Sequence, residues 1–296
     1  MKKNLRAMSF SLMVCSLLAL SGMAQRAAQK SAPEQVIWAG ISGGFAIRWT
    51  TGEVAASPSS SATDVRLSAR QLARAEFAKI EKDADDVDLC EYERTFRIAS
   101  VVGSIVTLED TYYLGCGGAH PDGRARFVAV DLAKPSTTKS RGLSDDEDLP
   151  GNLVTLTDYF PEAEILRALL ADSLMQKALE GKRPKTLAAL LKICAEDFPT
   201  VAENEKLCFA AERDLLTRFA FHHVENGKVA VRLGLSGAVV CRNNLTQIGI
   251  LLPIPESLKQ ALALADAGTE GFLMNRKLGA NRNTTFSFTK KKKATR

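Results

Sequence analysis

The chain has 296 residues, with 39 lysines and arginines against 34 aspartates and glutamates, for a formal charge of +5. Three positive charges (Lys2, Lys3, Arg6) precede an apolar run and five more crowd the closing KKKKATR, so residues 25–289 sum to −3. A mildly acidic body excludes the broad basic footprint of a nucleic-acid-binding protein.

The opening MKKNLRAMSFSLMVCSLLALSGMAQ reads as a secretory signal peptide over residues 1–24. A basic start is followed by the apolar Met8–Leu20, then by Gly22 and Ala24 at the −3 and −1 positions of a cleavage site. The run is shorter than the ~20 apolar residues that span a bilayer. Gln25 stands where a lipoprotein signal needs cysteine, and Cys15 lies inside the apolar run. No later stretch is long and apolar enough to cross a membrane. The expected product is therefore periplasmic or secreted, with no transmembrane segment after cleavage. About 270 residues remain, enough for one large domain or two small ones. Cys90, Cys116, Cys194, Cys208 and Cys241 remain with them. Disulfides are the default use of cysteine in an oxidising compartment, and an odd count leaves one thiol free.

Residues 25–36 lack periodicity and read as an extended leader. Phe45–Thr50, with Phe45, Ile47 and Trp49 on one face, predicts a strand after Gly43-Gly44. Ala56–Ala62 reads as a loop. A helical stripe of Leu67, Leu72, Ala73, Phe77 and Ile80 comes next, with Asp64 as its expected cap. Residues 37–89 are thus a strand and helix belonging to the same globular unit as residues 90–268.

Two β-rich runs flank Gly103-Ser104, which fits a two-residue hairpin. In that register paired residue numbers sum to 207. Arg97 then meets Asp110, and Glu91 meets Cys116. One bulge near the open end would bring Cys90 to Cys116, so Cys90–Cys116 is the first expected disulfide. Ala125–Leu132 predicts another strand, and residues 133–151 a polar loop. Pro161 opens a helix carrying Ile165, Leu166, Leu169, Leu170, Leu174 and Ala178. A shorter helix starts from Thr186 and carries Leu187, Leu190, Leu191 and Cys194. Cys194–Cys208 is the expected second disulfide, leaving Cys241 free; pairing of Cys241 with Cys116 or Cys208 is the competing connectivity. Asn226-Gly227 marks a second hairpin, placing Val224 opposite Val229, His222 opposite Val231 and Ala220 opposite Leu233. LTQIGILLP predicts a strand, and Pro255 opens a last helix with Leu258, Leu262 and Ala265. Residues 269–296 read as a flexible basic tail, with Lys290–Lys293 solvated. The pattern predicts an α+β fold, an antiparallel sheet built from hairpins with helices packed against it.

YYLGCGGAHPDG, Tyr112 to Gly123, concentrates the candidate chemistry. A Cys116–His120 nucleophile pair would need a free thiolate, which a disulfide removes. Gly117 and Gly118 make no phosphate loop, because no helix start or Lys-Ser/Thr follows; they suit a tight turn in which His120 holds backbone groups. A zinc site would have to draw on His120, Asp122, His222 and His223. Adjacent residues of a strand point to opposite faces, so His222 and His223 would not share an ion. No H-E-x-x-H or C-x-x-C occurs, and no metal or cofactor is expected.

YLGCGGAHP, the strand ending VDL and then LVTLTDYFPEAEILRALLADSL resemble the extracytoplasmic RsiV-like domain family, over roughly residues 90–268. The similarity rests on Tyr113, Gly117, Gly118, Ala119, His120, Asp131, Leu156, Asp158 and Phe160, and on the later FAFHHVENGKVAVRLGL. That family occurs in lysozyme-sensing anti-sigma factors and beside some peptidoglycan deacetylases. The resemblance implies an α+β, envelope-associated protein, non-enzymatic, binding a cell-wall component or a protein partner such as lysozyme through Gly117, Gly118 and His120. The chain departs from the family in showing no sigma-binding segment and no deacetylase domain, and in having SGAVVCRNNLTQIG where the family commonly has a tyrosine-containing stretch. The alternative is a cell-wall hydrolase or deacetylase using His120 with Asp122 or another carboxylate.

Overall fold

A computed structural model describes residues 34–83, 89–116, 122–135, 151–196, 209–210, 214–237, 247–278 and 282–291. The expected signal peptide, Gly117, Gly118, His120, Cys208 and Cys241 lie outside them.

Glycine-centred turns organise the first sheet. β1 (Val36–Ser42) folds back through Gly43-Gly44, both at positive φ, onto β2 (Phe45–Thr50). β3 (Val54–Pro58) and the two-residue β4 (Leu67–Ser68) complete the antiparallel order β1-β2-β3-β4. The loop expected from Ala56 thus begins only after Pro58, because Ala56 is buried and paired with Ile47. Helix α1 (Ala69–Asp83) comes next. Its cap is Ser68, whose Oγ accepts from Gln71 N at 3.2 Å, and Asp64 pairs with Arg66 instead.

The second sheet runs β13-β5-β6-β7: β5 (Leu89–Val102), β6 (Ile105–Gly115), β7 (Asp122–Asp131) and β13 (Thr284–Lys291). β13 corrects the expected tail. TTFSFTKK alternates in the period of a half-buried strand, and Phe286 is buried against Phe96 at 6.1 Å between rings. Phe272 and Leu273 are core residues as well, so residues 269–278 are also no tail. Lys290 donates to the Glu81 carbonyl at 2.6 Å.

The helix opened by Pro161 is two helices. α2 (Glu162–Ala171) stops at Asp172, whose carboxylate accepts from Leu174 N and Met175 N at 2.9 Å and so starts α3 (Ser173–Leu179). α4 (Leu187–Glu196) begins from Thr186, whose Oγ1 accepts from Ala189 N. β8 (Phe209–Ala210) pairs with β11 (Ser236–Gly237). β9 (Phe219–Glu225) and β10 (Lys228–Gly234) form the Asn226-Gly227 hairpin, with both turn residues at positive φ. β12 (Gln247–Pro253) completes the third sheet, β12-β10-β9, and α5 (Glu256–Ala267) ends at Gly268.

The result is a mixed α+β protein with five helices, three antiparallel sheets built from hairpins and the small β8–β11 pair among the described residues. One core lies between the first two sheets and α1, around Trp49, Phe96, Leu108 and Val130. The larger core packs α2 to α5 on the third sheet, around Phe219, Val231, Leu169 and Leu262. Cys194 faces this larger core as a free, buried thiol, and Cys208, its expected disulfide partner, lies outside the described residues. The place of Cys194 on the apolar face of α4 accounts for its burial. Burial pushes the thiol up to about 11. No helix among the described residues is long and apolar enough to cross a membrane.

Candidate functional site

The β5–β6 hairpin turns at Gly103-Ser104, and near the turn paired numbers sum to 207, as in Val102 with Ile105 and Ser100 with Thr107. A bulge at Ala99 then shifts the register by one. Beyond it Ile98 faces Leu108 and Glu91 faces Gly115. The bulge sits near the closed end rather than the open end, but it has the same consequence: Cys90 and Cys116 come to 4.1 Å between Cα atoms and are bonded. The shift also corrects the expected Arg97–Asp110 pair, because Arg97 now faces and ion-pairs with Glu109.

Asp110 turns inward instead. Its carboxylate accepts from Arg94 Nε and Nη2, both at 2.8 Å, and from Arg126 Nε at 3.1 Å. Arg94 also reaches the Leu72 carbonyl at 3.0 Å and Glu76 at 2.5 Å, which ties β5 to α1. Burial alone would raise the Asp110 pKa, but Arg94 and Arg126 outweigh it and hold the carboxyl well below the usual carboxylate range. Tyr92 donates to Glu76 at 3.0 Å, and burial pushes its phenol far up. These charges neutralise one another inside the fold.

Asp122 starts β7. Its Oδ2 accepts from Tyr112 OH at 3.1 Å and its Oδ1 from Gly123 N at 2.8 Å. Burial, opposed by Arg124 and reinforced by Asp122, pushes the Tyr112 phenol up to about 12. The other residues of the resemblance hold the strand exit: Asp131 accepts from Ser104 Oγ at 2.6 Å and from Tyr159 OH at 3.3 Å. Asp158 bonds Thr155 N and Lys134, and Leu156 and Phe160 are buried. Tyr113 is exposed.

His222 and His223 do not point apart. His223 faces Ala230 and Phe221 faces Val231, so His222 is the extra residue of a bulge. The expected His222–Val231 and Ala220–Leu233 pairs are displaced by one for the same reason, while Val224–Val229 holds. The bulge brings His222 Nδ1 and His223 Nδ1 to 2.7 Å, with ring centroids 4.9 Å apart. Among the described residues no group of three or more His, Cys, Asp or Glu side chains converges as metal ligands.

His222 lines a cavity of about 170 Å³ that it shares with Ala99, Arg97 and Lys277, over a floor that includes Phe272 and Met274. Phe272 reaches it because its backbone exchanges both hydrogen bonds with Val101, two residues past the Ala99 bulge. A 3₁₀ turn, Met274–Arg276, then carries the chain to Lys277, which sits at φ 47°. Spacing in the sequence gives no sign of this site. Bulges are single-residue events, and Lys277 is brought in by a turn that the sequence presents as tail.

The outer face of the first sheet is a second concavity, about 510 Å³, formed by Ala39, Ile41, Ala46, Arg48 and Ala55 with Val65 at its margin. Ile41 is 57% exposed, and β1 is the sheet's edge. Small side chains leave this face open while Ile47, Trp49 and Ala56 fill the opposite one. The fold and these two concavities define the class, an α+β protein of hairpin-built sheets; compared with protein-family models, curated proteins and solved structures, the chain gives no match.

Proposed function

We propose that this is an exported, non-enzymatic envelope protein that binds a protein partner through the outer face of β1–β3. The observation that carries the reading is that open apolar concavity beside an edge strand. Exposed apolar patches rimmed by polar groups mark interaction surfaces, and an edge strand offers unpaired backbone groups to an extended segment. Ala, Ile and Val side chains suit a protein better than a sugar polymer, which needs stacking rings and ranks of polar groups. The Cys90–Cys116 bond supports an oxidising compartment, in keeping with the signal-like N-terminus and the resemblance to the RsiV-like family.

The test is retention of the mature chain on lysozyme-coupled resin and on insoluble peptidoglycan, with Ala46→Glu alongside. Retention on lysozyme that Ala46→Glu abolishes supports the reading. Retention on peptidoglycan alone redirects it to a cell-wall component, and retention on neither counts against it.

A further inference from the structure

We propose that the cavity between the two bulges is a binding site for a small organic anion: a carboxylate carrying a short apolar body. This inference concerns a different surface from β1–β3 and stands apart from it. Three backbone irregularities meet here: the Ala99 bulge of β5, the His222 bulge of β9 and Lys277 in the left-handed region. Bulges re-aim side chains and gather beside functional sites. A non-glycine residue at positive φ costs free energy that the surrounding structure has to hold in place.

The chemistry of the walls names the ligand. Among the described residues, the charged side chains lining the cavity are Arg97 and Lys277, and no carboxylate lines it. Arg97 is engaged by Glu109 on β6. Lys277 Nζ and His222 Nε2 have no hydrogen-bond partner among the described residues. Arg232 from β10 lies close enough to act on His222. Burial first, then Arg232, His223 and Lys277, hold its imidazole below the ordinary histidine range. Arg97 is paired with Glu109 and His223 lies 3.6 Å from Glu225, so the uncompensated charge lining the recess among the described residues is that of the exposed Lys277, and a cation beside a partly enclosed recess favours an anion. Phe272, Met274 and Leu278 give that anion an apolar bed. At ~30 Å³ per water the space equals about six waters, which limits the ligand to a few carbon atoms.

The probe is butanoate on the full mature protein labelled at methionine methyls, with butanamide as the neutral isostere and inorganic phosphate as an anion without an apolar body. Butanoate is expected to move the Met274 methyl resonance saturably, with a dissociation constant on the order of 1 mM. Butanamide should leave it still, and phosphate should bind more weakly. Lys277→Gln should weaken butanoate about tenfold, and Lys277→Arg should restore it. No saturable shift with butanoate, an equal shift with butanamide, or unchanged binding in Lys277→Gln overturns the proposal. Should Lys277→Gln alter the melting temperature, Lys277→Arg decides: failure to bind with a wild-type melting temperature also overturns it.

Discussion

Replacing Asp110 with asparagine tests the buried charge network that ties α1 to the central sheet. Asp110 and Arg94 are each only 1% exposed, and Arg126 is 3% exposed. The carboxylate accepts three guanidinium hydrogen bonds. An asparagine side chain there would keep the shape, remove the charge and turn an amide N–H₂ toward donors. Glu76 would remain beside Arg94 as the acid of the network. Breaking a buried ion pair by removing one partner costs about 3–5 kcal/mol. For a chain of this size that lowers the melting temperature by roughly 10 °C. Urea unfolding followed by circular dichroism measures the loss, with an unchanged denaturant slope showing that the effect is on stability. The folded-state pKa of Asp110 is depressed, so its contribution is present above its unfolded value of about 3.9 and is lost as the pH falls below it. The Asp110→Asn deficit should therefore be full at pH 7 and shrink in acid. A loss under ~1 kcal/mol, or one that does not change with pH, would show that Asp110 behaves as a surface charge rather than as the centre of a buried network.

Reducing Cys90–Cys116, which closes a separation of 26 residues, should cost about 3.5 kcal/mol on the chain-entropy estimate; thermal melts with and without reductant, and mapping of non-reduced peptides, check it. Cys194, with its thiol pushed up to about 11, should resist alkylation in the native protein and react once denatured, as read by peptide mass. His222 should titrate below 6.5 in a histidine-resolved NMR series. Its depressed value means the unfolded chain takes the proton first, so this group removes stability as the pH falls through 6.5. Lys277→Gln should move the midpoint upward.

Turns are legible in the sequence because their chemistry is local. Gly103-Ser104 and Asn226-Gly227 each dictate a reversal, and the strands beside them form accordingly. Thr186 and Pro255 likewise place their helices. The bulges at Ala99 and His222 carry no local signal, because packing between the second and third sheets selects which residue is left unpaired. That one-residue slip turns Asp110 from a surface partner of Arg97 into the centre of a buried network. The separate slip at His222 brings together two histidines that alternation sends apart. β13 is hidden by the lysines around Lys290, which mask the alternation of Phe286 and Phe288. Asp172 is lost in an apolar stripe continuous across it, although its carboxylate caps the next helix. The groove on β1–β3 shows in the sequence only as small residues, which also suit a tightly packed interior.

Amide hydrogen exchange across β1–β3, in the presence and absence of lysozyme, probes the proposed docking face itself. Lysozyme should slow exchange in Val36–Ser42 and near Val65 and leave the cavity at His222 and Lys277 unaffected. Binding that leaves β1 unprotected, or protection confined to other sheets, would contradict it.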